Sequence, residues 1–229
     1  MKRILLFALL FSGITAFSQT EVILMNYNSL EKQLEKSAEQ VEHPKKGLKP
    51  KTWIKRGELL QKAFDIDLEY LTDGIDKVQF RLYYKDPLET LEETLEDGTK
   101  KETLKYERMD YIFENGRLSY WIRKKSMVED PLNKAFDVYL KALDLDGEGK
   151  YISDIQENLT SLKNQFKRAG INAYFLEDSD EAMADFEMVN KTLPVGLVGI
   201  QNLLFNDINT DINGPFINYL SPYYCSIAS

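Results

Sequence analysis

Between residues 26 and 43, Leu30, Leu34, Ala38 and Val41 recur at three- and four-residue steps with charged residues between them. That spacing lays one apolar stripe along a helix. His43-Pro44-Lys45-Lys46-Gly47 breaks the pattern. A second helix is predicted over residues 52–60, just after Pro50. A third covers 131–143, where Pro131 suits the first helical position and Asp130 the cap before it. Residues 151–169 place Ile152, Ile155, Leu159, Leu162 and Phe166 on one face of a long helix. The next stretch reads as a helical hairpin ending near residue 194, turning at Glu177-Asp178-Ser179-Asp180. Between the second and third helices the period changes. Residues 72–84 predict a short helix and Asp86-Pro87 a turn. Residues 89–95, 103–113 and 118–122 then predict a three-stranded antiparallel meander, turning at Asp97-Gly98 and Glu114-Asn115-Gly116. Residues 196–205 are apolar enough for another helix, and residues 206–214 form an Asn/Asp-rich loop.

The helical hairpin carries a spaced set of small and aromatic residues. Phe166, Ala169, Gly170 and Ala173 follow an aromatic-x2-hydrophobe-glycine-x2-aromatic spacing, with small residues at two of its large positions. Ala182, Phe186 and Pro194 follow A-x3-F and a closing proline. Gly170 and Ala182 let two helices approach closely, while Phe166 and Phe186 each supply about 1.5–3 kcal/mol if fully buried. Pro194 ends the second helix, since proline cannot continue it. Trp53 and Gly57 repeat the aromatic-to-glycine spacing, with Leu60 at the next interface position. Ala135 and Tyr139 repeat A-x3-F with Tyr for Phe.

On these residues the chain resembles the tetratricopeptide repeat family. The resemblance implies a mainly α fold: an antiparallel helix-pair superhelix with a small inserted antiparallel β meander. The implied organisation is a signal peptide over 1–18, then an N-terminal helix with the first helix of a split repeat over 26–65. An α+β insertion covers 66–128. The second helix of the split repeat and a whole unit (163–196) occupy 129–196, and a helical extension covers 197–229. Tyr224, Ile227 and Ala228 look like the start of a further repeat, so a longer array or a shortened product is expected. The segment F-E-N-G-R-L-S-Y-W at the last hairpin resembles small β domains of outer-membrane assembly lipoproteins.

Met1-Lys2-Arg3, an apolar run to Phe17, and Ala16-Phe17-Ser18 together read as a cleaved export signal, with the mature chain starting near Gln19. The run is shorter than the ~20 residues of a spanning helix, and no cysteine follows it, so a lipoprotein anchor at that point is excluded. A periplasmic or extracellular protein is expected, compatible with outer-membrane association and without an integral span. Its net charge of −8 becomes −10 once Lys2 and Arg3 are removed, with 27 bases left against 37 acids. Such a surface opposes nucleic-acid binding, which needs a basic face.

Chemistry is thin. Asp144, Asp146, Glu148 and Gly149 imitate the start of a calcium loop, but the twelfth position is Ile155 rather than a bidentate Glu. Asn209, Asp211, Asn213 and Gly214 repeat the pattern, with Leu220 at the twelfth place. Gly147-Glu148-Gly149-Lys150 lacks the glycine spacing of a phosphate loop. The single histidine, His43, sits in a charged linker, and the single cysteine, Cys225, cannot form an internal disulfide. No metal site, cofactor or catalytic set is expected.

The expected function is therefore a non-enzymatic protein–protein interaction scaffold of the bacterial envelope. The resemblance implies a concave face lined by the first helix of each unit: Lys51, Ile54, Glu58 and Gln61, then Asn164, Lys167, Ile171 and Tyr174. Its partner is another protein. Two alternatives are an envelope-assembly factor acting through the β insertion and a carboxylate-dependent hydrolase without a recognisable signature.

Overall fold

Residues 26–192 are described, in a computed structural model. The export signal, Pro194, the extension after residue 196, the loop 206–214 and Cys225 lie outside the described residues. Among the described residues, six helices and one four-stranded antiparallel sheet make a mixed α/β fold, with the expected helix pairs and antiparallel meander both present. The helices are α1 (residues 26–42), α2 (Pro50–Asp65), α3 (Lys77–Tyr83), α4 (Pro131–Leu145), α5 (Ile152–Phe175) and α6 (Ser179–Lys191). The strands are β1 (Glu89–Thr94), β2 (Lys100–Lys105), β3 (Met109–Glu114) and β4 (Arg117–Arg123), paired in that order. Among the described residues, no helix is long and apolar enough to cross a membrane.

The four large helices pack as two pairs, α2 with α4 and α5 with α6, and α4 against α5 joins the pairs. Each pair crosses at a glycine. A Cβ on Gly57 would stand 2.4 Å from Cζ of Tyr139, and one on Gly170 would stand 3.2 Å from Cε1 of Phe186. Ala135, Ala182, Tyr139 and Phe166 have no exposed surface. Trp53 is half-buried against the core, and its indole N–H donates to the Gly47 carbonyl at 2.7 Å. The core is continuous from Leu30 and Leu34 of α1 to Val189 of α6.

Caps set the helix starts. The Asp76 carboxylate accepts from the N–H groups of Val78 and Gln79 at 2.8 and 2.9 Å, and Asp178 accepts from that of Glu181 at 3.1 Å. Asp130 behaves otherwise than expected. It sits in left-handed backbone at φ 47°, and its carboxylate accepts from the Asn133 amide rather than from the helix backbone. Pro131 is left to open α4 by its fixed φ.

The sheet has one strand more than expected. The stretch 103–113 is cut by a turn in which the Tyr106 N–H donates to the Met109 carbonyl at 2.8 Å. The residue pattern explains it: the apolar parity runs 104, 106, then 109, 111, 113, a step of three that a single strand cannot make without turning a residue over. Asn115 and Gly116 form the β3–β4 turn, both at positive φ (49° and 81°). Leu104, Met109, Tyr111 and Phe113 bury one sheet face around Phe80 of α3, whose ring lies 4.3 Å from that of Tyr84 and 5.0 Å from that of Tyr111.

Arginines dock the insertion onto the end of α2. Arg123 donates to the Phe64 carbonyl at 2.6 Å, and Arg168 donates to those of Leu71 and Leu68 at 2.9 and 3.4 Å. Carbonyls at and beyond a helix C-terminus lack backbone partners, and cations are favoured there. Asp67, almost wholly buried, ties in three elements: its carbonyl accepts from Tyr111 at 2.7 Å and Tyr84 at 3.1 Å, and its carboxylate accepts from Tyr27 of α1.

Candidate partner-binding cleft

α5 is long enough to exceed its partner helix and carry a second face. Ile155, Leu159, Leu162, Phe166 and Ala173 turn into the core. A different stripe, Asn164, Lys167/Arg168, Ile171/Asn172 and Phe175, advances by three or four residues at a time and forms one wall of a cleft of about 630 Å³. That stripe spans roughly 16 Å at 1.5 Å per residue. The other wall comes from the insertion: the loop Thr72-Asp73-Gly74, Glu114, and Arg117, Leu118, Ser119 and Trp121 of β4.

Two contacts hold the walls apart at a set distance. The Asn172 amide pairs with both backbone groups of Trp121, accepting from its N–H at 2.8 Å and donating to its carbonyl at 3.1 Å. It thereby closes part of the outer edge of β4. Arg168 lies over the Trp121 ring at 5.2 Å while capping the turn after α2. At the far end the Tyr120 and Phe175 rings stack at 6.5 Å. Arg117, Lys167 and Arg168 face the cleft with Asp73 and Glu114, so an acidic chain has a locally mixed, slightly cationic surface here.

The eight expected groove residues divide. Asn164, Lys167 and Ile171 line the cleft. Tyr174 is half-buried against the core, its ring edge-on to Phe175 at 5.8 Å, and does not line it. The four residues of α2 do not line it either. Lys51 is exposed, and Glu58 is bonded by Lys55 at 3.2 Å. Ile54 and Gln61, expected on an open groove, are instead buried: α5 covers Gln61, whose amide reaches the Asn158 carbonyl at 3.4 Å, and α1 lies against α2 where Arg56 donates to the Leu34 carbonyl at 3.2 Å. Gln61 belongs to a polar core network. Its amide donates to Gln165 at 2.7 Å, its oxygen accepts from Tyr139 at 2.5 Å, and Gln165 in turn donates to Asp65 at 2.5 Å. Burial raises the Asp65 carboxyl above its ordinary range, although Gln165, Arg168 and Arg123 oppose the shift. Burial also pushes the Tyr139 phenol up.

Arg168, Asn172 and Phe175 adjoin the expected stripe by one position or one turn and were legible as its continuation. Arg117 and Trp121 carried no such signal, because only the tertiary fold brings β4 beside α5. The cleft lining holds no histidine or cysteine. His43 is exposed, its Nδ1 accepting from the Lys45 N–H at 3.1 Å. In the loop expected to mimic a calcium site, the Asp146 carboxylate accepts from the N–H groups of Lys150 and Tyr151 at 3.0 and 2.6 Å, the task of a capping residue. Among the described residues no group of three or more His, Cys, Asp or Glu side chains is placed to hold a metal.

Compared with known proteins, the chain matches no family model, no curated protein and no solved structure.

Proposed function

We propose that this chain is a non-enzymatic protein–protein interaction module of the tetratricopeptide-repeat kind, gripping a segment of a partner protein between α5 and the inserted sheet. The observation that carries the reading is the cleft itself. Its volume of about 630 Å³ and its wall three helical turns long suit an extended stretch of about five residues. Along α5 the lining passes from hydrogen-bonding and charged groups (Asn164, Lys167) to apolar ones (Ile171, Phe175), and β4 adds Arg117 and Leu118 opposite. The repeat assignment is supported by the two glycine–aromatic crossings, Gly57 on Tyr139 and Gly170 on Phe186, which pair residues at equivalent spacings in α2/α4 and α5/α6. Export to the cell envelope is proposed on the basic-then-apolar start of the sequence.

The test is site-specific photo-crosslinking in the cell that makes the protein. A benzophenone side chain at Ile171 captures a partner, and one at Met183, exposed on α6, does not. Lys167→Glu reduces capture at Ile171, and Lys55→Glu, on the exposed face of α2, leaves it unchanged. Equal capture at Ile171 and Met183, or capture indifferent to Lys167→Glu, refutes the cleft as the binding surface.

A further inference from the structure

The meander has two edges, β1 and β4, and they are finished differently. The edge of β4 is occupied. The Leu118 N–H donates to the Ile75 carbonyl at 2.9 Å, the Lys77 N–H to the Gly116 carbonyl at 3.1 Å, and Asn172 takes both groups of Trp121. Among the described residues, no strand pairs with the outer edge of β1. The Leu95 N–H donates to the Thr99 carbonyl at 2.9 Å, and the β1–β2 register runs without a bulge from Glu89↔Lys105 to Thr94↔Lys100. Bonded and non-bonded positions alternate in an antiparallel ladder. Glu89, Leu91 and Glu93 therefore face β2 with their backbone groups, and Thr90, Glu92 and Thr94 turn theirs outward. All six residues of β1 are exposed. Of the usual devices that blunt an edge strand, β1 carries charge alone, in Glu89, Glu92 and Glu93; within Glu89–Thr94 there is no proline or bulge and, among the described residues, no covering strand. That charge repels an acidic or like strand but not a cationic one.

We propose that the outer edge of β1 is a strand-addition site, taken by an extended segment of another protein with Lys or Arg at alternate positions. This surface is separate from the α5 cleft, at the opposite edge of the sheet. Charge selects the occupant. β2 already shows what pairs with β1: Lys105 reaches Glu89 at 3.0 Å and Lys101 reaches Glu93 at 3.0 Å. Glu92 stands opposite Glu102, whose carboxylate is taken by Lys77, and Glu92 itself forms no ion pair among the described residues. A cation on an added strand would complete that row. A second copy is the wrong occupant: antiparallel pairing of β1 with β1 centred on Glu92 sets that carboxylate against its own copy, and pairing centred on Leu91 sets Glu89 against Glu93, on strands about 4.8 Å apart. Leu91, 45% exposed, gives the residues between the cations an apolar contact.

The probe is a set of dodecapeptides selected from a phage-displayed random library on the full chain. The enriched peptides are cationic with an alternating pattern, and binding slows hydrogen exchange at the amides of Thr90, Glu92 and Thr94. Glu92→Pro deletes one outward N–H without touching the ladder to β2, and it weakens binding about tenfold. Glu92→Gln keeps the backbone and weakens binding about threefold. N-methylation along the peptide weakens binding at every second amide only. That series uses the unaltered chain, so it decides the question even if Glu92→Pro disturbs the hairpin. Enriched peptides that are acidic, that protect the α5 cleft instead of β1, or that respond equally to N-methylation at every position overturn the proposal. The α5 cleft is tested by cross-links at Ile171, so the two proposals fail separately.

Discussion

Replacing Gly57 by alanine tests the helix crossing from which the repeat reading is built. The new methyl carbon would lie 2.4 Å from Cζ and 2.5 Å from Cε1 of Tyr139, closer than real contacts allow. Tyr139 has no exposed surface, and its hydroxyl is held by Gln61 at 2.5 Å with the Asn158 amide oxygen at 3.1 Å, so the ring cannot swing away cheaply. Forced overpacking costs about 1–3 kcal/mol. Against this, alanine in a helix interior gains about 1 kcal/mol over glycine. Because the ring is held, the overpacking cost lies in the upper half of that range, about 2–3 kcal/mol, and the net expectation is a loss of about 1–2 kcal/mol, or a Tm lower by roughly 2–8 °C for a chain of this size. Gly170→Ala is the internal control. Its methyl would meet Asp185 Cβ at 3.1 Å and the Phe186 ring at 3.2 Å, a contact that a few tenths of an ångström relieve. There the helix-propensity gain offsets the strain, and the change stays within about 0.5 kcal/mol of zero. Urea unfolding followed by circular dichroism measures both. Tyr139→Leu, combined with Gly57→Ala, opens the space, so the double variant is less destabilised than the two single losses predict, by about 1 kcal/mol. Gly57→Ala no more costly than Gly170→Ala, with additive behaviour in the cycle, would refute the close crossing of α2 and α4.

Other outcomes follow from the same contacts. Asp185 is buried beside Gly170, and burial, with Glu181 and Asp130 nearby, raises its carboxyl from 3.8 to about 7. Its folded-state value lies above the unfolded one, so its contribution to stability is full below about pH 4 and is lost as pH rises through 7. Asp185→Asn is therefore expected to stabilise the chain at pH 8 by up to about 4 kcal/mol and to flatten the pH dependence of urea midpoints between pH 4 and 8. Asn172→Ala leaves the Trp121 N–H and carbonyl without their partners, costs about 1–3 kcal/mol, and accelerates hydrogen exchange at the Trp121 amide while that of Tyr111 is unchanged. Gly116→Ala places a Cβ at φ 81° in the β3–β4 turn, and is expected to cost about 1–2 kcal/mol, read as a lower thermal midpoint.

Periodicity and spacing determined much of this molecule without coordinates. The apolar stripes of α1 and α5, the Pro131 start of α4, the Asn115-Gly116 turn and the small-against-aromatic positions at Gly57, Gly170, Tyr139 and Phe186 are local patterns, and local patterns survive in one dimension. The break between β2 and β3 was there too, as a parity slip between Tyr106 and Met109. What the tertiary structure alone decided is which face of a helix meets water. Ile54 and Gln61 occupy outward positions for an isolated repeat, yet α1 and α5 bury α2. Conversely, the cleft exists because the segment between α2 and α4 returns β4 beside α5, held there by Asn172, Arg168 and Arg123. Each of those contacts joins residues fifty to a hundred positions apart. Helical and strand periods encode which side of an element is apolar. They carry no record of which distant surface will cover it, because that choice is settled by the summed burial and hydrogen bonding of the whole chain.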